Sequence, residues 1–383
     1  MQQHYDLLII GGGVLGTFHA YQALEKGLSV AVLDKNKLAR GSSVQNFGQV
    51  VPSGMNTKWQ QYGRKSLEIY KSIQAQFDIS VRQNGSVYIA SNEEELTLLE
   101  ELAVLNQQQD YPSQMLTKQE CLQRYEGLRA DYCLGGLFFP EEITVEPRIA
   151  IHRIRQYLEE QKELHYFQQT LAVEVEALRD SCQVVASDGR LFHAAQVLVC
   201  SGYEFQTLFP NEYAQSDLQA CKLQMLLLEQ QPTQIIPGSI LTGLSIRRYE
   251  SFYECPSYPA IKAKEASDSL AKKWGVHILF KQALDGSIIL GDTHEYADAT
   301  EAESLGTHVV EEMNQFMLDE AAKIFDLQNW NVRETWTGTY AQCKNSDIFR
   351  KTIDGRIHLL TGIGGKGMTG SAGYAAFHLQ DIL

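Results

Sequence analysis

Basic charge, long apolar runs and paired cysteines are all missing from this 383-residue chain, and each absence removes a class of function. Lys plus Arg number 33 against 47 Asp plus Glu, a net charge of −14 at pH 7. A surface for nucleic acid or an anionic membrane is therefore disfavoured, and an anionic substrate must find its cations locally. No apolar stretch approaches the ~20 residues that cross a bilayer. The segment before the first glycines contains Asp6 and lacks the basic start, length and cleavage site of a secretory leader, so a cytoplasmic protein is expected. The 7 cysteines are scattered and form no Cys-x-x-Cys pair, which argues against a disulfide framework and a zinc site; no metal is expected. No repeat or disordered tail is visible. Hydrophobic content of 44% and charged content of 21% are ordinary for a globular protein, and the length predicts two lobes.

What is present is concentrated first between Tyr5 and Asp34. An apolar run, Leu7 to Ile10, leads into Gly11-Gly12-Gly13-Val14-Leu15-Gly16. A segment with apolar residues near helical spacing follows, then a second apolar run, Val30 to Leu33, and Asp34. The pattern predicts a βαβ unit that holds a dinucleotide. Gly11 permits the tight strand-to-helix turn, Gly13 lets the backbone approach a pyrophosphate, and Gly16 lets the helix pack closely on the strand. The helix start offers free N–H groups and a positive dipole end to phosphates. Asp34 is spaced to accept hydrogen bonds from a ribose 2′-hydroxyl, which favours an adenosine diphosphate moiety without a 2′-phosphate.

The small, polar segment Arg40 to Gly48 is a candidate ligand-wrapping loop. Helical patterns are expected at about 64–78, 93–107 and 117–125, and from Pro147 to about Lys162. Strands are expected at 86–90, 165–178, 182–187 and 190–200, the last closing on Cys200-Ser201-Gly202. A second strand-rich block covers 220–229, 244–253, 276–281 and 287–290, followed by one long helix over about 298–325. Strands near 330–340 and 357–360 then precede Gly362-Ile363-Gly364-Gly365-Lys366-Gly367-Met368-Thr369 and a terminal helix. This second glycine motif lies too near Leu383 for another complete dinucleotide site. It is expected to fold back onto the first cofactor, where its N–H groups could stabilise the negative charge of a reduced flavin; a glycine-rich helix cap is the plainer alternative.

In order and spacing, Gly11 to Asp34, Arg40 to Gly48, Cys200-Ser201-Gly202, Trp336-Thr337-Gly338 and Gly362 to Thr369 resemble the D-amino acid oxidase, glycine oxidase and sarcosine oxidase family over essentially the whole chain. Denser strings, Gln45-Asn46-Phe47-Gly48, Cys221 to Met225, Arg247 to Phe252 and Gly291 to Tyr296, resemble a subgroup often encoded beside phosphonate-degradation genes. The resemblance implies an α/β fold: a Rossmann-like FAD-binding domain with an inserted antiparallel-sheet substrate domain, the second lobe α+β in character. The FAD-binding domain would be discontinuous, 1–80, 141–218 and 330–383, with 81–140 and 219–329 forming the substrate domain. FAD, noncovalently held, would lie with its pyrophosphate on Gly11, Gly13, Val14, Leu15 and Gly16 and its ribose near Asp34 and Lys35. Ser42 and Ser43 would meet phosphates, and Asn46, Phe47, Gly48 and Gln49 the isoalloxazine. Val173 would lie on the adenine side, and Ile363, Gly364, Gly365, Lys366, Gly367, Met368 and Thr369 at the pyrimidine edge of the ring. Ser201, Gly202 and Gly338 complete the implied cofactor contacts. Such enzymes pass a hydride from an amine-bearing carbon to flavin N5, water hydrolyses the imine, and dioxygen commonly reoxidises the flavin to give hydrogen peroxide.

One departure stands out. Two positions after the Trp-x-Gly turn, where relatives place an arginine on the substrate carboxylate, this chain has Tyr340. A tyrosine donates one hydrogen bond and cannot neutralise a carboxylate. Replacement cations are sought in Arg247 and Arg248, adjacent on an expected strand and so pointing to opposite faces, and in Lys366; each reads equally well as a surface residue. Tyr249 and His277 complete the candidate substrate pocket, although a satisfied core histidine is the commoner occurrence. No catalytic residue is certain, because the flavin drives the chemistry. The expected partners are a small anionic amine and dioxygen or another electron acceptor, with oligomeric state unknown. The favoured reading is oxidation of a C–N bond in an aminophosphonate such as 2-aminoethylphosphonate or its N-methyl form. Its rivals are a glycine, sarcosine or D-amino acid oxidase, a hydroxy-acid oxidase on the same fold, and a nucleotide sensor without redox turnover.

Overall fold

Apolar runs bounded by glycine turns become the strands of two large sheets, beside the short pair Gln49–Val50 and Ile143–Thr144, in the computed structural model, which describes residues 4–266 and 268–383. The first is an 8-stranded sheet ordered Phe349–Ile353, Ile357–Thr361, Leu191–Val199, His4–Ile10, Val30–Leu33, His165–Phe167, with Cys182–Ala186 and Ala172–Ala177 continuing from Leu191–Val199. His4–Ile10 runs parallel to both neighbours, Leu8 opposite Ala31 on one side and Val197 on the other. Buried on both faces, it reads as a continuous apolar run rather than an alternating one. Helix Val14–Glu25 is buried along almost its whole length, because the sheet lies on one side and the helices Pro147–Gln161 and Gly367–Ile382 on the other.

The second sheet has 9 strands and is largely antiparallel, with Ser239–Leu241 and Ser86–Ala90 as a parallel pair. Its spine is Leu218–Leu228, paired with Ile288–Gly291, with Glu295–Asp298 and, along its whole length, with Val332–Cys343. Helix Gly367–Ile382 packs on helix Thr57–Gln76, Gly373 N donating to Ser66 Oγ at 2.8 Å. That packing returns the terminal glycine loop to the first sheet. Buried Glu142 ties the lobes together, accepting hydrogen bonds from Ser53 N at 2.7 Å, from Tyr111 Oη at 2.7 Å and from the Ser86 hydroxyl. Among the described residues no helix is long and apolar enough to cross a membrane.

The expected elements depart from the structure in four places. The segment 244–253 is not a strand: it forms the short helix Gly243–Ile246 and the 3₁₀ turn Glu250–Glu254. The helix expected over 298–325 is a 3₁₀ segment, Ala299–Leu305, and a separate helix, Glu311–Ala322, parted at Gly306, whose φ of +55° cannot continue a helix. The strand expected over 165–178 is two, His165–Phe167 and Ala172–Ala177. Residues 330–383 divide as well: Val332–Cys343 belongs to the second sheet, because its alternating side chains pair across Leu218–Leu228, while the two strands and the helix that follow belong with the first.

Candidate active site

At the carboxyl end of His4–Ile10 the backbone is held too tightly for side chains. Gly11 has φ +106°, and a Cβ there would lie 2.2 Å from the Cys200 carbonyl oxygen; one on Gly16 would lie 2.0 Å from Gly11 O. The glycines therefore make the tight turn that delivers the chain into helix Val14–Glu25, the cradle that a ligand's phosphates would need. Asp34, at the end of the second strand, accepts from Gly12 N at 2.9 Å and Asn36 N at 2.8 Å, which leaves lone pairs for a ribose hydroxyl. Ser43 Oγ accepts from Val14 N at 3.0 Å and brings the loop 40–48 onto the helix start. Asn46 braces that loop, donating to Ser42 O and accepting from Gly48 N, each at 2.7 Å.

A cavity of 660 Å³ continues from this helix start into the second sheet. One end is lined by Val14, Ser42, Ser43, Asn46, Phe47, Gln49 and the loop Ile363 to Thr369. Of these, Gln49 carries a buried side-chain amide nitrogen without a partner. Gly11, Gly13, Leu15, Gly16, Asp34, Lys35, Gly48, Val173, Ser201, Gly202 and Gly338 lie outside the cavity wall. Leu15 is buried in helix Val14–Glu25, and Lys35 and Gly202 are exposed. Val173 is exposed on its strand, Ser201 Oγ donates to Glu204 O, and Gly338 is buried opposite Leu223.

The other end is built from segments far apart in the chain. Arg248, Tyr249, His277, Asp292, His294, Tyr296 and Tyr340 line it, over an apolar wall of Leu223, Met225 and Leu279. Arg248 donates to Gly275 O at 2.6 Å and to Tyr296 Oη at 2.8 Å. Burial would lower its pKa, but Tyr296, Asp292 and Tyr340 outweigh burial and hold the guanidinium charged. The Asp292 carboxyl is pushed up to about 7 by burial, which Arg248 only partly offsets. Burial and the Arg248 charge keep His277 and His294 neutral, the latter brought down to about 3. Burial likewise holds the Tyr249 and Tyr340 hydroxyls protonated, as hydrogen-bond donors.

Two cationic candidates stand differently from expectation. Arg247 is outside the cavity: it donates to Glu95 at 3.0 Å and to Glu94 and Asn92 at 3.2 Å, because the helical turn at 243–247 sends it toward that acidic cluster. Lys366 is on the cavity wall but paired with Glu250 at 2.7 Å. Asp292, Tyr296 and Glu250 were not among the sequence candidates. Asp292, His294 and Tyr296 recur at every second residue, a signal that one face of an extended segment is dense in ionisable groups.

The FAD-dependent oxidoreductase family model, designated DAO, matches residues 6–378. The chain belongs to this family. One subunit of the opine oxidase of Rhizobium meliloti is 22% identical over 347 residues, 87% of this chain and 81% of that protein. Human mitochondrial sarcosine dehydrogenase is 27% identical over 146 residues, 37% of this chain and 16% of that protein. Among solved structures, glycine oxidase from Geobacillus kaustophilus superposes with a TM-score of 0.76 at 15% identity, covering 100% of this chain and 95% of its own. L-proline dehydrogenase from P. horikoshii gives 0.78 at 16%, covering 98% and 92%. The glycine cradle, the partnerless Gln49 amide and the returning glycine loop fit FAD, the family's cofactor. The protein is thus an FAD-dependent oxidoreductase.

Proposed function

We propose that this enzyme oxidises the C–N bond of a small amine carrying a phosphonate, such as 2-aminoethylphosphonate or its N-methyl derivative. The observation that carries the reading is Arg248, a charged guanidinium on the same cavity wall as Tyr340, the residue standing where the sequence resemblance implies a carboxylate-gripping arginine. A guanidinium fork flanked by tyrosine hydroxyls suits the tetrahedral oxygens of a phosphonate. FAD, when bound, supplies the two-electron acceptor. The protein binds the anion, orients the amine-bearing carbon and surrounds it with the apolar wall. The resulting imine is hydrolysed by water, and the electrons pass to dioxygen or another acceptor. Noncovalent attachment is favoured because burial pushes the Cys343 thiol up to about 11, leaving it a poor nucleophile.

A simple amino acid substrate is the second reading, supported by relatives named for glycine, opines and sarcosine. Anaerobic titration of the yellow protein with glycine, sarcosine, 2-aminoethylphosphonate and N-methyl-2-aminoethylphosphonate separates the two. Bleaching of the flavin band by the phosphonates alone is the expected result. Bleaching by glycine or sarcosine but by neither phosphonate would overturn it.

A further inference from the structure

We propose that Asp292 is the amine-recognising group of this site: its carboxylate receives the substrate ammonium and takes one of its protons. This rests on the reading of the cavity as an amine-oxidising site and deepens it. Oxidation needs the nitrogen lone pair to form the C=N bond, and an amine in water at neutral pH is almost wholly protonated, with a pKa of about 10. Something must remove that proton.

Asp292 has the required geometry. It lies on the cavity wall, is only 7% exposed, and its Oδ1 has no hydrogen-bond partner. A buried carboxylate oxygen left without a donor is costly unless a ligand supplies one. Arg248 shares the same wall, so an anion and an ammonium on one small molecule meet opposite charges at one end of the cavity. The groups that face Asp292 are Arg248 and Tyr249 from the turn, His277 from the segment before strand Leu279–Gln282, Tyr340 and Cys221 from neighbouring strands, and His294, whose Nε2 lies 3.8 Å away, with Tyr296. The histidines are held neutral and the tyrosines and Cys221 protonated, which leaves Asp292 as the member of this group that titrates near neutrality.

In the step, an N–H bond of the ammonium breaks and an O–H bond on Asp292 forms; no electrons are exchanged. Ammonium and carboxylate become amine and carboxylic acid. Burial favours this neutral pair over the charged one. The lone pair is then free for the two-electron oxidation.

The test uses holoenzyme and ligands without hydrogen on the nitrogen-bearing carbon: 2-amino-2-methylpropylphosphonate and the α-amino acid 2-aminoisobutyrate. Propylphosphonate, with no amine, gives the baseline. Calorimetry at pH 8.5 in buffers of different ionisation enthalpy counts protons. Wild type is expected to bind the aminophosphonate with no net proton exchange, and the infrared spectrum of the complex should show a protonated carboxyl band. Asp292→Asn is expected to bind about 30-fold more weakly and to release about one proton, because it accepts only the neutral amine. It should bind propylphosphonate at least as well as wild type. Asp292→Ser serves as a second variant, with flavin absorbance reporting a folded holoenzyme for each.

Proton release by wild type, a complex with no protonated carboxyl band, or unchanged amine affinity in both variants would each overturn the proposal. If 2-aminoisobutyrate binds and neither phosphonate does, the phosphonate reading fails alone and the same comparisons on 2-aminoisobutyrate decide the role of Asp292. Binding of no amine would overturn both.

Discussion

The two ends of the 660 Å³ cavity are made in opposite ways. The nucleotide end opens at Val14, where the stretch Gly11 to Asp34 enters its helix, and is closed by the 42–49 loop and the returning glycine loop; beside it the stretch works through backbone: absent side chains, a helix start, and a carboxylate at a strand end. The substrate end gathers side chains from separate segments, and its character lies in burial: a charged guanidinium, a partnerless carboxylate, and histidines denied their protons. Backbone geometry tolerates little change and suits a cofactor shared by a whole family. A wall of side chains can be rebuilt one residue at a time, which suits a substrate that differs among relatives.

The largest effect is expected at the nucleotide end. Gly11→Ala places a methyl group 2.2 Å from a carbonyl oxygen on a backbone with φ +106°. Strain of ~3 kcal/mol or more would weaken FAD binding by about 100-fold or further, so purified protein should be colourless at 450 nm. A Gly11→Ala variant that keeps its flavin would remove the contrast between the two ends. At the substrate end Arg248→Ala should leave flavin content intact and lower the anaerobic reduction rate at subsaturating substrate by ~100-fold, since a charge-assisted contact of ~2–3 kcal/mol is lost. Loss of flavin together with activity would show that the ends are not independent. The smallest effect is expected next door. Arg247→Ala breaks ion pairs to Glu94 and Glu95 outside the cavity and should leave substrate affinity unchanged while lowering the melting temperature by about 2 °C, from ~1 kcal/mol. If it impaired substrate binding instead, the assignment of the two neighbours would be reversed.

The family's fold and cofactor were legible because each signal is local. Leu7 to Ile10, the glycines and Asp34 need only their own spacing to make a strand, a turn and a hydrogen-bonding acid. Extended-strand reasoning failed at Arg247 and Arg248: a helical turn there separates the pair by rotation rather than by alternation, so one faces the cavity and the other an acidic cluster. Gly306 carried a local break signal within the expected long helix, and it is where that helix parts. Asp292 illustrates the remainder. Its acid type is visible in the sequence, but its burial and its missing partner depend on segments arriving from elsewhere, and it is that burial, against the opposing charge of Arg248, that raises its pKa.

By itself, then, the sequence determined the strand, glycine turn and helix at its start, the mixed α/β fold and the FAD cofactor, because these follow from residue type at short spacing. Only the tertiary structure decided which arginine is presented to the cavity, that Lys366 is neutralised by Glu250, and that an aspartate waits buried beside a cation. The reason is physical: backbone turns are set by steric contacts a few residues apart. The charge state of a side chain, by contrast, is set by whatever the fold packs against it.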